Sequence, residues 1–395
     1  MHRDPSSRSG DGAAFGRARR GVMIGNSGWD IAVVGGGLAG SSIAWGLARS
    51  GLRPILLDGE DLDRRASRAN FALVWVQGKG LGAPHYALWT KASAERWPQF
   101  ADALEAETGI NLALRQPGAF TFALSQAELD GLRSEMETIN RETEGKAPPY
   151  EVLDHDETRR RLPSIGPDVA GSIYCPADGD VNALRLFLSL HSALKAKRVE
   201  YRANHPVERI EPRKGGFRLS GRWGEIVVPR VVLAAGLGNE KLAPMVGLSA
   251  PLKRSKGQVL VTERCAPFFA YPSATIRQTD EGGVMIGESE ETKSSVATNQ
   301  EVTAVLADRA IRVFPGLADL NVVRSWTGFR VKSLDGLPIY DQSERHPGAF
   351  LVLSHSGVTL AANHALVIAP QIAEGHLSPE IKPFRSERFH VPASA

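Results

Sequence analysis

The stretch DIAVVGGGLAGSSIAWGLARSGLRPILLD, Asp30 to Asp58, constrains the fold more than any other part of the chain. Asp30–Val34 is a short, β-branched apolar run, as a strand buried on both faces requires. It enters Gly35-Gly36-Gly37-Leu38-Ala39-Gly40, a GxGxxG spacing. Gly35 permits the tight turn, Gly37 lets backbone approach a pyrophosphate, and Gly40 lets the next helix pack close to the strand. That helix carries Ile43, Ala44, Leu47 and Ala48 on one face, and its N-terminal amides suit an anion. A second strand, RPILLD, ends at Asp58, placed to accept hydrogen bonds from a ribose hydroxyl. Strand, turn, helix, strand and acid fall in order, which makes this a dinucleotide-binding unit rather than a chance glycine match. Asp58 argues against a 2′-phosphate without separating NAD from FAD.

The 395 residues are enough for two intertwined domains. With 42% hydrophobic and 23% charged residues and a formal net charge of +3, no dense Lys/Arg stripe points to nucleic acid. No apolar run is long enough to span a bilayer. Cys175 and Cys265 have neither metal-ligand spacing nor the pattern of a disulfide framework, so no metal is expected and a reduced, cytoplasmic protein is. Residues 1–28 are rich in Arg, Gly and Ser without apolar periodicity, and lack the apolar core of a secretory signal. They predict a disordered N-terminal extension, with Met23 as an alternative start and the folded chain beginning near Trp29.

After Asp58 the chain does not continue with regular βα units. It gives the polar loop LDRRASRANFALVWVQGKG, much later RVVLAAGLGNE (230–240), and later still GAFLVLSHSGVTLAANHALVIAPQIAEG. Three sites of close backbone approach suit the long ligand FAD, running from adenine at Asp58 to a flavin ring near Gly357.

The segments VVGGGLAG, VVLAAG, KGQVLVTE, WTGFRVKSLDGLP and HSGVTLAA, in that order, resemble the D-amino-acid oxidase-like FAD oxidoreductases. That group includes glycine oxidase, sarcosine oxidase and the hydrogen cyanide synthase flavoprotein. The resemblance runs from Trp29 to about Leu377. Within the group, ANFALVWVQGKG, PFFAYPSATIRQTDEGGVMIGESEE and SHSGVTLAANHALV look like the B subunits of opine (octopine or nopaline) oxidases. There are departures. Val331 stands where glycine oxidase-like members have Pro, and Asp58 where many relatives have Glu. The flavin-attaching cysteine of sarcosine oxidases is missing, which implies noncovalent FAD.

The resemblance implies an α/β fold in which a Rossmann-like FAD-binding domain (29–88, 165–248, 325–380) interleaves with an α+β substrate domain (89–164, 249–324). The substrate domain would contain a large mixed or antiparallel sheet, and residues 381–395 would form a C-terminal tail. Helical spacing in ASAERWPQFADALEAETG and strand-like QVLVTE and GVMIGES agree with this. VNALRLFLSLHSALKAK reads as a helix with apolar residues at Leu184, Leu186, Phe187 and Leu190.

The same resemblance assigns Gly35, Gly37, Leu38, Ala39, Gly40 and Asp58 to the cofactor, with Ser67, Arg68 and Asn70 around its pyrophosphate and ribityl chain. Val207 would touch it through backbone, Ala235 and Gly236 would approach it closely, and His355, Ser356, Gly357, Val358 and Thr359 would form the flavin turn. Arg68 has a solvated loop cation as its alternative reading.

The implied reaction is transfer of a hydride from the C–H beside an amine nitrogen to flavin N5. The resulting imine hydrolyses to a keto acid and an amine. Arg330 would grip the substrate carboxylate, a bidentate charge-assisted contact, or else pair with Asp335. Arg277 would serve as a second cation, or pair on the surface with Asp280 or Glu281. His355 is read as positioning rather than as a general base, because hydride transfer from a neutral amine has no obligatory base. Trp75 is read as packing, and Lys253 and Lys256 as surface charges.

The substrate would be an opine-type secondary amine. The alternatives are a stand-alone glycine, sarcosine or D-amino-acid oxidase releasing hydrogen peroxide, or a noncatalytic scaffold subunit. Opine oxidase-like partners would be a second flavoprotein-like subunit and a small ferredoxin-like one, since two cysteines cannot hold an iron–sulfur cluster here.

Overall fold

A computed structural model describes residues 28–59, 65–287, 289–292 and 295–389. The expectation of disorder for residues 1–27 lies outside them. The chain starts with β1 (Ile31–Val34), α1 (Leu38–Arg49), β2 (Pro54–Leu57), β3 (Leu73–Val74) and the long α2 (Pro84–Thr108). A small antiparallel layer follows: β4 (Ala119–Ala123), α3 (Gln126–Glu142), β5 (Glu151–Asp154), α4 (His155–Arg161) and β6 (Gly171–Cys175). The Ser125 hydroxyl caps α3, and Asp154 with Glu157 forms a capping box on α4. Next come β7 (Gly179–Asp180), α5 (Ala183–Ala196), β8 (Glu200–Arg202), β9 (Arg209–Arg213), β10 (Gly216–Gly221), β11 (Gly224–Val228) and β12 (Val231–Leu233). After the short α6 (Asn239–Leu242) run β13 (Leu252–Arg264), β14 (Ile276–Gln278), β15 (Gly283–Ile286), α7 (Gln300–Val313), β16 (Val322–Ser333), β17 (Ile339–Gln342) and β18 (Ala349–Leu353). A helix with a π segment at His364–Ile368 closes the sheet, and two 3-10 turns (379–384 and 386–389) follow.

The main sheet has the order β17-β18-β12-β1-β2-β8, parallel except for β17. Every residue of β1, β2 and β12 is buried, the near-continuous apolar pattern of a sheet covered on both faces. Successive side chains serve opposite layers. Ile31 and Val33 meet Trp45, Trp97, Phe100 and Leu190 beneath α1, α2 and α5, while Ala32 and Val34 meet Phe217, Leu219 and Val246 on the β9–β11 side. Ile381 and Phe384, within the expected tail, are buried in the first of these layers.

In α5 the buried stripe is Leu186, Leu190, Ala193 and Leu194, spaced for one helical face. Leu184, although apolar, falls on the opposite side and is 70% exposed.

The second unit is built on the antiparallel sheet β14-β15-β13-β16, whose two long strands pair from Leu252–Ser333 to Thr262–Val322. Its core gathers Phe120, Phe122, Phe269 and Phe314 between this sheet, α7 and the β4-β6-β5 layer. The architecture is mixed α/β, as the sequence implies.

Candidate active site

A cavity of about 780 Å³ runs from the turn after β1 to the turn after β18, walled on the far side by β13 and β16. It sits at the carboxyl ends of β1 and β12, where open α/β sheets bind ligands. Among its described lining residues are Arg65, Arg68, Lys79 and Arg330, and no carboxylate.

At the β1 end, Gly35 has φ +110°, and a Cβ there would stand 2.4 Å from the Ala234 carbonyl oxygen. A Cβ on Gly40 would stand 1.8 Å from the Gly35 oxygen. Only glycine allows this approach of α1 to the strand. No side chain of Gly37 can cap α1, and the Leu38 N–H donates instead to the Ser67 hydroxyl at 2.9 Å. Leu38, Ala39, Ser67, Arg68 and Asn70 all line the cavity. The Arg68 guanidinium lies 6.0 Å from the Phe187 ring.

Asp58, 2% exposed, accepts from both ends of the Arg65 fork at 2.6 and 2.8 Å and from the Tyr201 hydroxyl at 3.2 Å. Burial pushes its carboxyl up, but Arg65, the Gly36 N–H and Tyr201 together hold it below the usual carboxylate range. Val207 does not line the cavity: it packs beside Trp29 and Trp223 against the β9–β11 layer.

At the other end, Ala235, Gly236 and His355 to Thr359 line the cavity. The turn is pinned from α2 and from β3. Thr359 receives the Trp75 N–H on its hydroxyl at 3.1 Å and the Ser93 hydroxyl on its carbonyl at 2.7 Å. Ser356 Oγ lies 2.6 Å from Lys79 Nζ and 3.0 Å from the Tyr86 hydroxyl. Burial first, then the nearby charges of Lys79 and Arg330, push the His355 imidazole down to about 3. It is therefore neutral at physiological pH.

Arg330 projects from β16 into the cavity. Its guanidinium donates to the Lys256 carbonyl at 3.2 Å and lies over Gly257, where a Cβ would approach within 2.8 Å. Among the described residues no carboxylate pairs with it. Asp335, the sequence's alternative partner, is held by Arg388 at 2.7 Å. Glu290 instead pairs with Lys332 and accepts from Ser255, which together with the Arg330 charge lower it to about 2 against its burial.

Arg277 departs from both sequence readings. It is 5% exposed, lies outside the cavity behind Phe71, and pairs with Asp180 at 3.0 Å. Asp280 and Glu281 pair with Arg185. Lys256, expected at the surface, is 2% exposed and pairs with Glu291 at 3.2 Å, whereas Lys253 stays exposed. Trp75 lines the cavity, as do Gln77 and Lys79 beside it. Buried Asp178 holds that segment, accepting from the Val76 N–H and from Gln77 Nε2. Sequence reasoning missed Asp178 and Tyr86, which no motif marks, and named Phe187 only as an apolar helix residue, whereas it lines the cavity.

Two buried polar atoms on the lining, Asn70 Oδ1 and Ser354 Oγ, have no hydrogen-bond partner among the described residues. With the glycine approach and the α1 amides, they fit an elongated ligand carrying phosphates and hydroxyls, as FAD does, whereas Asp58 is not among the described lining residues. Among the described residues no cluster of acids, histidines and cysteines could hold a metal. No helix among them is long and apolar enough to cross a membrane.

A family model described as FAD dependent oxidoreductase matches residues 30–371. The chain is 62% identical over 363 residues to the opine oxidase B subunit of Agrobacterium tumefaciens (strain Ach5), covering 92% of this chain and 98% of that one. It is 61% identical over 361 residues to the opine oxidase B subunit of Rhizobium meliloti, covering 91% and 97%. The crystal structure of glycine oxidase from Geobacillus kaustophilus superposes with a TM-score of 0.81 at 25% identity, covering 90% of this chain and 98% of that one.

Proposed function

The chain belongs to the FAD-dependent oxidoreductase (DAO) family, and within it we propose that it oxidises an opine-type N-carboxyalkyl amino acid as one subunit of a larger enzyme. FAD-dependent oxidation of an amine is the family's chemistry. The opine substrate is carried by the 62% identity, over 92% of this chain, to the B subunit of an opine oxidase. Bound in this cavity, FAD would supply the hydride acceptor for oxidation of the carbon next to the amine nitrogen, to give an imine that would hydrolyse to a keto acid and an amino acid.

The chain's own residues then have separate tasks. The turn Gly35–Gly40 and the α1 amides hold the pyrophosphate, and Asp58 the adenosine ribose. Ser67, Arg68 and Asn70 close over the middle of the cofactor, and Ala235, Gly236 and the 355–359 turn flank its far end. Arg330 takes the substrate carboxylate in a two-pronged contact, helped by the absence of a competing carboxylate among the described residues. His355, kept neutral by burial, accepts a hydrogen bond from the amine without adding a charge that would oppose oxidation. A second flavoprotein-like subunit and a ferredoxin-like one would carry electrons onward, a division of labour supported by two relatives that are themselves single subunits of their oxidases.

Anaerobic addition of octopine, nopaline, glycine, sarcosine and D-amino acids in turn, followed by flavin absorbance, tests this. Bleaching by opines alone is expected. Bleaching by glycine, sarcosine or a D-amino acid, with peroxide on readmission of air, would establish a stand-alone oxidase and end the opine reading.

A further inference from the structure

An arginine can grip a substrate carboxylate only if no carboxylate of the protein reaches it first. Among the described residues, three acids lie in the segments that flank Arg330: Glu290 and Glu291 beside β13, and Asp335 in the turn after β16. Each is taken by another cation. Glu291 pairs with Lys256 at 3.2 Å, and Asp335 with Arg388 at 2.7 Å. Glu290 pairs with Lys332, whose ammonium meets both carboxylate oxygens, at 2.8 and 2.9 Å.

Of the three, Glu290 is the one poised to compete. Ser255 stands directly across from Arg330 in the β13–β16 ladder. Its hydroxyl donates to Glu290 at 3.0 Å, and its oxygen lies 3.5 Å from an Arg330 nitrogen. The carboxylate is therefore one hydroxyl away from the guanidinium. Its side chain is 54% exposed, which leaves it room to turn. What restrains it comes from the strand that carries the arginine. Residues two apart on a strand share a face, so β16 brings Lys332 to the side of the sheet on which Arg330 lies. The charges of Arg330, Lys332 and Glu290 all act on the His355 imidazole, which places the ion pair beside the cavity rather than at a remote surface.

We infer that Lys332 is a positioning residue that sequesters Glu290 and so keeps the Arg330 guanidinium open for the substrate carboxylate. The inference rests on the carboxylate role proposed for Arg330 above, and adds an ion pair that stands outside the described cavity lining. Without Lys332, Glu290 turns to Arg330, and carboxylate affinity falls with the fraction of guanidinium left open.

The test uses the FAD-loaded full chain and two ligands. Pyruvate, a carboxylate without an amine, is titrated by perturbation of the flavin spectrum. Octopine is followed by the concentration dependence of anaerobic flavin reduction, which separates its dissociation constant from the limiting rate. Lys332→Met raises both dissociation constants about 5- to 30-fold and leaves the limiting rate within about twofold. Lys332→Gln does the same and supplies the reading should the methionine variant lose FAD. Lys332→Arg stays near native, and Glu290→Gln alone weakens neither ligand. Lys332→Met/Glu290→Gln returns both constants to near native, a rescue that a merely structural loss would not show. Lys332→Met/Glu290→Asp, with the same charge on a shorter stem, recovers part. If Lys332→Met binds as the native chain does, or the double variant with glutamine stays as weak as the single one, the inference is overturned while the role of Arg330 stands. If Arg330→Met itself binds pyruvate as the native chain does, the carboxylate reading of Arg330 fails and takes the inference with it. A native chain that octopine does not reduce ends the opine reading and leaves pyruvate to decide this one.

Discussion

Replacing Gly40 by alanine measures how much of the cofactor site depends on one close approach of backbone to backbone. The new Cβ would stand 1.8 Å from the Gly35 carbonyl oxygen and 3.3 Å from the Ala234 Cβ, whereas real contacts stop near 3.0 Å. The obstructing atom is main chain, so no rotamer relieves it, and α1 must move by about 1 Å. Overpacking of this kind costs about 1–3 kcal/mol, and a backbone obstacle places Gly40→Ala at the upper end. At about 2 °C per kcal/mol for a chain of this size, the apoprotein's Tm falls by about 4–6 °C. The Leu38 N–H and its neighbours leave their positions with the helix, so FAD affinity falls about 10- to 100-fold. Gly131→Ala is the matched control. It lies exposed in α3 with nothing within 4 Å of its Cβ, and gains about 0.5–1 kcal/mol from helix propensity. Gly37→Ala falls between the two, because its Cβ would meet only the Ser67 hydroxyl at 2.7 Å, a side-chain atom that can turn away. Differential scanning of the apoproteins and FAD titration by fluorescence give both numbers. Native Tm and native FAD affinity in Gly40→Ala would refute the argument that this glycine exists for helix–strand approach.

Arg330→Met should raise the dissociation constant of carboxylate substrates about 10- to 150-fold by anaerobic flavin titration, and Arg330→Lys should restore only part because the two-pronged geometry is lost. His355, pushed down to about 3 by burial and by the charges of Lys79 and Arg330, carries no proton change above pH 5. The pH profile of flavin reduction between pH 6 and 9 should therefore keep its shape in His355→Asn, and the loss of a limb would show that the imidazole titrates in turnover. Burial raises Asp178 to about 7 against the bonds it accepts. The folded state then holds a proton that the unfolded state has lost between about pH 4 and pH 7, so this group's contribution to stability declines as pH rises through that window. Asp178→Asn should flatten that part of the Tm-versus-pH curve, and an unchanged slope would assign it to other groups.

The glycine turn was legible in the sequence because strand, glycine spacing, helix and second strand follow one another directly, although the atoms that crowd Gly35 and Gly37 come from Ala234 and from the loop residue Ser67. Arg330 was legible as a residue type in a motif, but its freedom from Asp335 depends on Arg388, in a turn 53 residues away. The failures at Arg277 and Lys256 have the same origin, a counter-charge supplied from elsewhere in the chain. Arg277 lies on a three-residue strand, too short for alternation to assign a face, and its partner Asp180 comes from a distant two-residue strand. Lys256 lies on the long β13, where a polar residue reads as solvent-facing, yet the segment around Glu291 covers it and supplies the counter-charge. Leu184 shows the limit of apolar counting in a helix: the leucines of α5 compete for one stripe, and only packing against α1 and α2 decides which lose. Lys79 sits in a loop, where no periodicity exists to read.

The position of β1 has a consequence for biogenesis. It is made well before the strands on one side of it, yet it lies in the interior of the sheet, where Ala32 needs Val231 as its neighbour and Val231 in turn needs Ala349. The cavity closes only when the turn at residues 355–359 has also been made. At about 5–20 residues per second, the nascent chain spends many seconds with an apolar strand and an unfinished glycine turn exposed. Flavin can be retained only after residues 355–359 have been made, so flavin starvation during expression should leave the apoprotein to persist or aggregate, with no half-built sheet able to hold the cofactor.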